Sequence, residues 1–354
     1  MQTLALTAVA ALLLGPAVPA VAQESGALKW ERAAPFPDAT EELYAATANG
    51  RMYVFGGGNP SGRTWEYDPI KDQWTRKKPM PIPINHAAVT EFRGKLYLFG
   101  GFVPVPNASA PGSVEVQGHA WEYDPAADAW RELAPMPTRR GSPVAITVGN
   151  LIYVIGGAAP NPGAPTAIIS SRGPSRSLST NEAYDPVTNQ WVEKSPMPTP
   201  RNHMFAGAVN DKIYIIGGRI PNQYVSVAAT NIDVVEEYDT VTDQWGPQKA
   251  RLPTARSGGG YATYGGKIYT AGGEVQTAQM WGAFLALEAY DPVRNSWSQL
   301  PSMPVPRHGV AAAFLGNKLH LVSGRIASGG YTSPDTQLAT DEHDVLAVPE
   351  VTGH

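Results

Sequence analysis

The sequence predicts an all-β fold built from six copies of one unit, and three observations carry that prediction. A glycine pair recurs at Gly56-Gly57, Gly100-Gly101, Gly156-Gly157, Gly217-Gly218 and Gly272-Gly273, with a degenerate Ser323-Gly324 in sixth place. Tyr67, Tyr123, Tyr184, Tyr238 and Tyr290, each followed by Asp, come after five of these pairs, and seven residues past each Tyr stands Trp74, Trp130, Trp191, Trp245 or Trp297. Gly 36 and Pro 33 make up roughly a fifth of the 354 residues, which gives many turns and few long helices.

Each glycine pair ends an apolar, aromatic-bearing run (MYVFGG, LYLFGG, IYVIGG, IYIIGG, IYTAGG, LHLVSG), the composition of a strand stopped by glycine. Sixteen residues before the first position of each pair stands Thr40, Ile84, Arg140, Arg201, Arg256 or Arg307. The interval from the glycine pair to Tyr, in contrast, runs 11, 23, 28, 21 and 18. A unit of this kind has four short strand-like runs and cannot bury both its faces alone, so its copies must stack on one another.

The pattern resembles the kelch repeat, and it covers nearly all of the chain beyond the first two dozen residues. The resemblance implies a six-bladed β-propeller with four strands per blade. Strand a starts at the Arg register, strand b ends in the glycine pair, strand c ends at Tyr-Asp, and strand d holds the Trp, which packs between blades. Glycine suits the places where backbone crowds the central channel. The sixth unit has no Tyr-Asp-Trp tail of its own. Trp30 lies ten residues before Thr40, and Phe36 sits six past Trp30 where Met80, Met136, Met197 and Met303 sit six past theirs. The N-terminal segment is therefore expected to supply strand d of the last blade and close the ring, which removes open sheet edges.

Before that segment, an apolar run from Leu4 to Leu14 leads to Ala20-Val21-Ala22, a small-x-small cleavage pattern. Residues 1–22 are read as a signal peptide cut after Ala22 and residues 23–354 as one domain, secreted or periplasmic. The apolar run is shorter than a membrane span needs and Gly15 and Pro16 break it, which weighs against a retained anchor.

Composition excludes several chemistries. A net charge of −4 with both signs spread along the chain leaves no footprint for nucleic acid. With Cys 0 there is no thiolate nucleophile, Cys-ligated zinc, iron–sulfur cluster or disulfide. No resident cofactor or metal is expected, and a monomer is expected.

Function should sit where length varies, because b–c loops and d–a loops emerge on one end of such a propeller around the channel mouth. The loop from Ala158 to Thr180, rich in Pro, Gly and Ser, reads as a mobile flap. Six arginines map to that end: Arg140, Arg201, Arg256 and Arg307 open strand a, and Arg219 and Arg325 directly follow glycine pairs. Together they suggest a cationic rim for a carboxylate or sulfate, with Glu41, Glu42 and Glu274 as the groups able to neutralise it. Two positions past the Arg register lie Glu42, His86, Ser142, His203, Gly258 and Gly309, with Glu41, Asn85, Gly141, Asn202, Ser257 and His308 one earlier. Glu42, His86 and His203 are candidates for an acid–base set and the weaker candidates for a facial metal site. Asn202, Glu274 and the loop aromatics Trp281, Tyr224 and Tyr331 are further candidates for contacts with a sugar.

Kelch propellers host unrelated functions, so the resemblance allows two readings. The first is an exported recognition module that binds a carbohydrate, an anionic small molecule or a peptide at the channel mouth. The second is an acid–base enzyme, a mutarotase or epimerase, or a lyase, in the same pocket, since exported kelch sialic acid mutarotases use such a ring. The copper-radical kelch oxidases are excluded, because their cofactor needs a Tyr–Cys crosslink.

Overall fold

The computed structural model describes residues 28–351, apart from residues 59–61, 109–111, 165, 171–174, 222–228, 278–279 and 330–337. The expected signal peptide, Tyr224 and Tyr331 lie outside the described residues. Among the described residues every regular element is a strand, and no helix is long and apolar enough to cross a membrane.

Six four-stranded antiparallel sheets form the body. In the first, strands a to d are Leu43–Ala48, Arg51–Gly56, Arg63–Asp68 and Gln73–Arg76. The third has Val144–Val148, Leu151–Ile155, Asn181–Asp185 and Gln190–Lys194 in the same order, and the others repeat it. Six apolar clusters each join two consecutive sheets, and the last joins Leu43, Met52 and Val54 of the first sheet to Ala311, Ala313 and Val322 of the sixth. The sheets are thus blades of a propeller, and side chains between blades are the core.

Three hydrogen bonds repeat around the body and explain the constant spacings. Each repeat Tyr donates its hydroxyl to the Asp or Asn five residues on, as Tyr184 does to Asn189 at 2.7 Å. The same Asn189 side chain accepts the backbone N–H of Ala134 in the preceding blade at 2.8 Å, and Trp191 Nε1 donates to the Ala134 carbonyl at 2.9 Å. The expected inter-blade Trp is therefore also a hydrogen-bonding staple. In the sixth sheet Trp30–Arg32 pairs antiparallel with His343–Ala347, Trp30 opposite Leu346 where other blades set Trp opposite Tyr. Phe36, buried against Trp65 and Trp74, follows it.

The glycine pair has a steric cause. Gly272 has φ +60°, and a Cβ on it would collide with the carbonyl oxygen of Arg307 in the next blade. The N–H of Gly273 then donates to that same carbonyl at 2.8 Å. Backbone meets backbone across the blade boundary, so a side chain has no room.

The Arg register departs from the expected rim. Arg140, Arg201, Arg256 and Arg307 are fully buried, not exposed around the mouth. Each points back into its own blade onto an acid of strand c: Arg140 to Glu182 at 2.8 Å, Arg201 to Glu236 at 2.6 Å, Arg256 to Glu288, and Arg307 to Asp344 at 2.5 Å. Further guanidinium N–H groups donate to strand b carbonyls, as Arg201 does to Ile215 at 3.0 Å. These four residues, expected to contact a ligand, are instead buried within their blades and bound to strand c acids. In blades one and two the register residue is Thr40 or Ile84, and the acid position holds Trp65 or Trp121. In the described part of the third-blade loop, Ile168–Ser170 pairs with Ser113–Val116 of the second-blade loop, and Ala158–Ala159 with Arg176–Ser177.

A buried imidazole pair lies where the sixth blade meets the first. His343 Nδ1 faces the Ala34 carbonyl at 3.1 Å, so it carries the proton, and His343 Nε2 then accepts from His320 Nδ1 at 2.9 Å. Burial pushes His320 down to about 3 and His343 down to about 4.

Three outcomes follow from this packing. Glu288→Gln leaves the Arg256 guanidinium buried without its anion and is expected to cost about 3–5 kcal/mol. The apolar pair Arg256→Met with Glu288→Leu is expected to cost much less. Urea unfolding of both checks this, and equal losses would count against it. Deletion of residues 28–37 removes Trp30 and Phe36 and opens an edge, and is expected to cost at least about 3 kcal/mol and promote aggregation. An unchanged melting temperature would refute that. For the imidazoles the folded pKa lies below the unfolded value, so their stabilisation is complete above about pH 6.5 and lost as pH falls toward 4. The loss is on the order of 2–4 kcal/mol between pH 6.5 and 5 for the pair. Denaturation of wild type and His343→Gln at pH 7 and pH 5 should show a shallower fall in the variant.

Candidate functional site

The residues two past the Arg register line the channel mouth, and their backbones take one conformation. Glu42, His86, Ser142 and His203 have φ of 59°, 54°, 52° and 53°, and Gly258 and Gly309 have 65° and 59°. From blade two round to blade one their peptide groups link in sequence along the channel. Ser142 N–H donates to His86 O at 2.9 Å, His203 to Ser142 at 3.2 Å, Gly258 to His203 at 2.9 Å, and Gly309 to Gly258 at 2.7 Å. Leu43 N–H carries the series on to blade one, donating to Gly309 O at 3.0 Å. This left-handed turn costs a non-glycine residue about 1 kcal/mol.

The ring surrounds a cavity lined by Glu42, His86, Ser142 and His203 above apolar surface from Tyr44, Met204, Tyr261 and Val310. The sequence-predicted trio is brought together: His86 Nε2 lies 3.1 Å from Glu42 Oε2, and the His86 and His203 rings stand 5.0 Å apart. His203 Nε2 receives Arg219 at 2.8 Å, so it is the unprotonated nitrogen, and Nδ1 donates to Asn202 Oδ1 at 2.5 Å. Ser142 Oγ lies 3.2 Å from the same Nε2. Asn202 is therefore a positioning residue, itself anchored to Ser177 Oγ at 3.0 Å.

The residue after each glycine pair bridges to the residue one past the Arg register: Arg219 to Asn202, Glu274 to Ser257, Arg325 to His308. Three neighbouring blades so present cation, anion and cation at one level. Arg219 pairs with Glu274, and Arg325 Nη1 with Glu41 Oε1 at 2.9 Å. Ser328 Oγ and the Gly329 N–H both donate to Glu274 Oε2 at 2.8 Å. His308, fully buried, sets Nε2 at 3.2 Å from Glu41 Oε2, 3.5 Å from Glu42 Oε1 and 3.9 Å from Glu274 Oε2.

Charge follows from these contacts. Burial pushes Glu42 up, but His86 and His308 outweigh it and hold the carboxyl well below the usual range. Burial likewise opposes His308⁺, but Glu274, Glu41 and Glu42 hold it well above its ordinary value. Burial and then the Arg219 guanidinium push His203 well below, so it is neutral. Three carboxylates thus face Arg219, Arg325 and a protonated His308. The cationic rim expected from the arginines is not formed, because Glu41 and Glu274 neutralise its two loop members. Trp281 stands on Trp281–Ala283, paired with Glu274–Gln276, and is not among the residues that line the cavity.

Sequence reasoning underweighted Glu41, His308 and Ser142. The signal was present in their register, one or two past the Arg position, but contact across the channel is not a sequence interval.

Comparison with known proteins agrees with this architecture. The KLHDC2/KLHL20/DRC7 Kelch-repeats domain matches residues 23–218, and the Kelch motif matches residues 200–245 and 255–304. Kelch-like protein terF of Aspergillus terreus is 31% identical over 223 residues, 62% of this chain and 46% of that protein. Kelch-like protein 25 of Xenopus tropicalis is 28% identical over 211 residues, 59% of this chain and 33% of that protein. Alpha-scruin of Limulus polyphemus is 26% identical over 233 residues, 65% of this chain and 23% of that protein. The matches thus span less than half the length of each of these relatives. A solved structure titled "Structure of YjhT" superposes with a TM-score of 0.69 at 17% identity, covering 89% of this chain and 96% of that one, a likeness of fold. With its matched repeats and its ring of four-stranded blades, the chain belongs to the kelch-repeat family.

Proposed function

We propose that this propeller is a recognition module that binds a carbohydrate at the channel mouth. The observation that carries the reading is strain: Glu42, His86, Ser142 and His203 hold side chains in a left-handed turn that blades five and six make with glycine. Backbone strain retained around a cavity is a cost that a ligand site explains and a mere spacer does not. The chemistry of the ring favours a polyhydroxylated ligand. The mouth as a whole carries both signs and gives a charged glycan no general attraction, whereas a hydroxyl donates and accepts and so suits interleaved carboxylates, guanidinium groups and imidazoles. Tyr44 and Tyr261 give the cavity apolar surface for the face of a sugar ring.

One observation favours a second reading, a sugar mutarotase or epimerase, or a lyase. An ionised Glu42 lines the cavity with a protonated His308 buried 3.5 Å behind it, the separation of roles that acid–base chemistry needs.

Saturation-transfer NMR against neutral and acidic mono- and disaccharides tests both. Neutral glycans are expected to bind at least as well as carboxylated or sulfated ones. Glu42→Gln and Ser142→Gly are expected to weaken binding tenfold or more, about 1.4 kcal/mol. Ser142→Gly is also expected to leave stability unchanged or raise it by up to about 1 kcal/mol, because it relieves the turn. A screen that finds peptides but no glycans, or variants with unchanged affinity, would overturn the reading. Accelerated anomeric exchange of the bound sugar would shift it to the enzyme.

A further inference from the structure

We propose that Glu41, Glu42 and His308 form a binding site for one divalent first-row metal ion, such as Zn²⁺, at the seam where the sixth blade meets the first. This goes beyond the carbohydrate reading, does not depend on it, and uses a different set from the Glu42, His86 and His203 trio. One ligand atom from each of the three residues lies within 4.8 Å of the other two, and His308 Nε2 is nearest Glu41 Oε2 and Glu42 Oε1.

Distance decides between an ion-pair cluster and a coordination site. A charge-assisted N–H···O bond closes to about 2.7–2.9 Å. Nε2 stays 3.2 and 3.5 Å from its two carboxylate oxygens. Neither ring nitrogen of this fully buried imidazole makes a hydrogen bond of acceptable geometry, and Glu41 Oε2 is also buried with none. With metal–ligand bonds of about 2.1 Å, neighbouring ligands of a tetrahedral or octahedral ion sit roughly 3.0–3.4 Å apart. The spacing is thus long for a direct bond and suits the edges of a polyhedron.

The surroundings orient the set. Arg325 holds the other oxygen of Glu41 at 2.9 Å, and His86 holds the other oxygen of Glu42 at 3.1 Å. Each carboxylate is thereby turned with its second oxygen toward His308, as outer partners do at metal centres. Once the ion displaces the Nε2 proton of His308, two carboxylates and one imidazole form one face of a coordination sphere, a donor set suited to Zn²⁺, Mn²⁺ or Fe²⁺, so binding releases a proton and strengthens as pH rises. Glu42 also lines the cavity, so the remaining positions would open toward it.

The test uses untagged full-length protein stripped with chelator and titrated with Zn²⁺ by calorimetry, without sugar. One equivalent is expected to bind with micromolar or tighter affinity. Glu41→Gln and Glu42→Gln, which keep side-chain shape, are each expected to weaken it at least tenfold in protein that keeps the wild-type fold by circular dichroism, although each loses an ion pair and melts lower. Co²⁺ is expected to give a visible absorption band whose position changes in His308→Gln, which reports the nitrogen ligand independently of affinity. The proposal is overturned if wild type binds no Zn²⁺ below millimolar concentration, or if both Gln variants bind as wild type does. Zinc binding with no glycan binding would sink only the carbohydrate reading, and the converse only this one.

Discussion

The contact on which the rest of this structure depends is the meeting of two backbones at five of the six blade boundaries. In blades two to six the second glycine of the pair donates to the carbonyl of the register residue in the next blade, as Gly157 does to Arg201 and Gly218 to Arg256, each at 3.0 Å, whereas Gly57 donates to Glu42 of its own blade. That bond fixes the height at which strand a of the next blade begins. Two residues later the chain must turn into strand a, and at that height it does so in the left-handed region in all six blades. A run of peptide hydrogen bonds from blade two round to blade one, and a ring of inward side chains, follow from the same geometry. The candidate site is thus a consequence of how blades dock, with residue identity the one free variable at each position.

Buried ion pairs act at the same boundary but in another direction. Each register arginine crosses its own blade from the start of strand a to an acid on strand c, so it ties a d–a connection to the sheet it introduces. Breaking such a pair is costly while the pair itself need not stabilise, so its role is to hold one geometry. Blades one and two do without it, and there an indole occupies the acid position; Trp65 Nε1 reaches Asp38 at 2.9 Å.

The repeat made the blades legible, because a steric requirement for glycine and a fixed Tyr-to-Trp interval both leave marks at constant spacing. The arginines show where that legibility stops. Their register was plain, yet whether a guanidinium faces the channel or the sheet depends on a partner more than thirty residues away. The partner's mark was also present: Glu182, Glu236, Glu288 and Asp344 occur only in blades whose register residue is Arg. That covariation within one chain distinguishes a buried pair from a rim cation. For the mouth, the level of each residue was readable and the partners were not, since Arg325 and Glu41 are 284 positions apart.

The two sets of polar contacts divide the work of the molecule. The Arg-to-acid pairs lie within blades. The mouth contacts cross between them: Arg219 of blade four to Glu274 of blade five, Arg325 of six to Glu41 of one, His86 of two to Glu42 of one, Ser142 of three to His203 of four. A blade keeps its shape whatever the mouth binds, whereas the mouth keeps its geometry only while the blades keep their angles. The staples from Trp and the glycine contacts hold those angles from outside and inside the ring. A ligand at the mouth therefore meets side chains that are preorganised by the whole ring, and its cost of binding is confined to displacing partners within one charge-matched network.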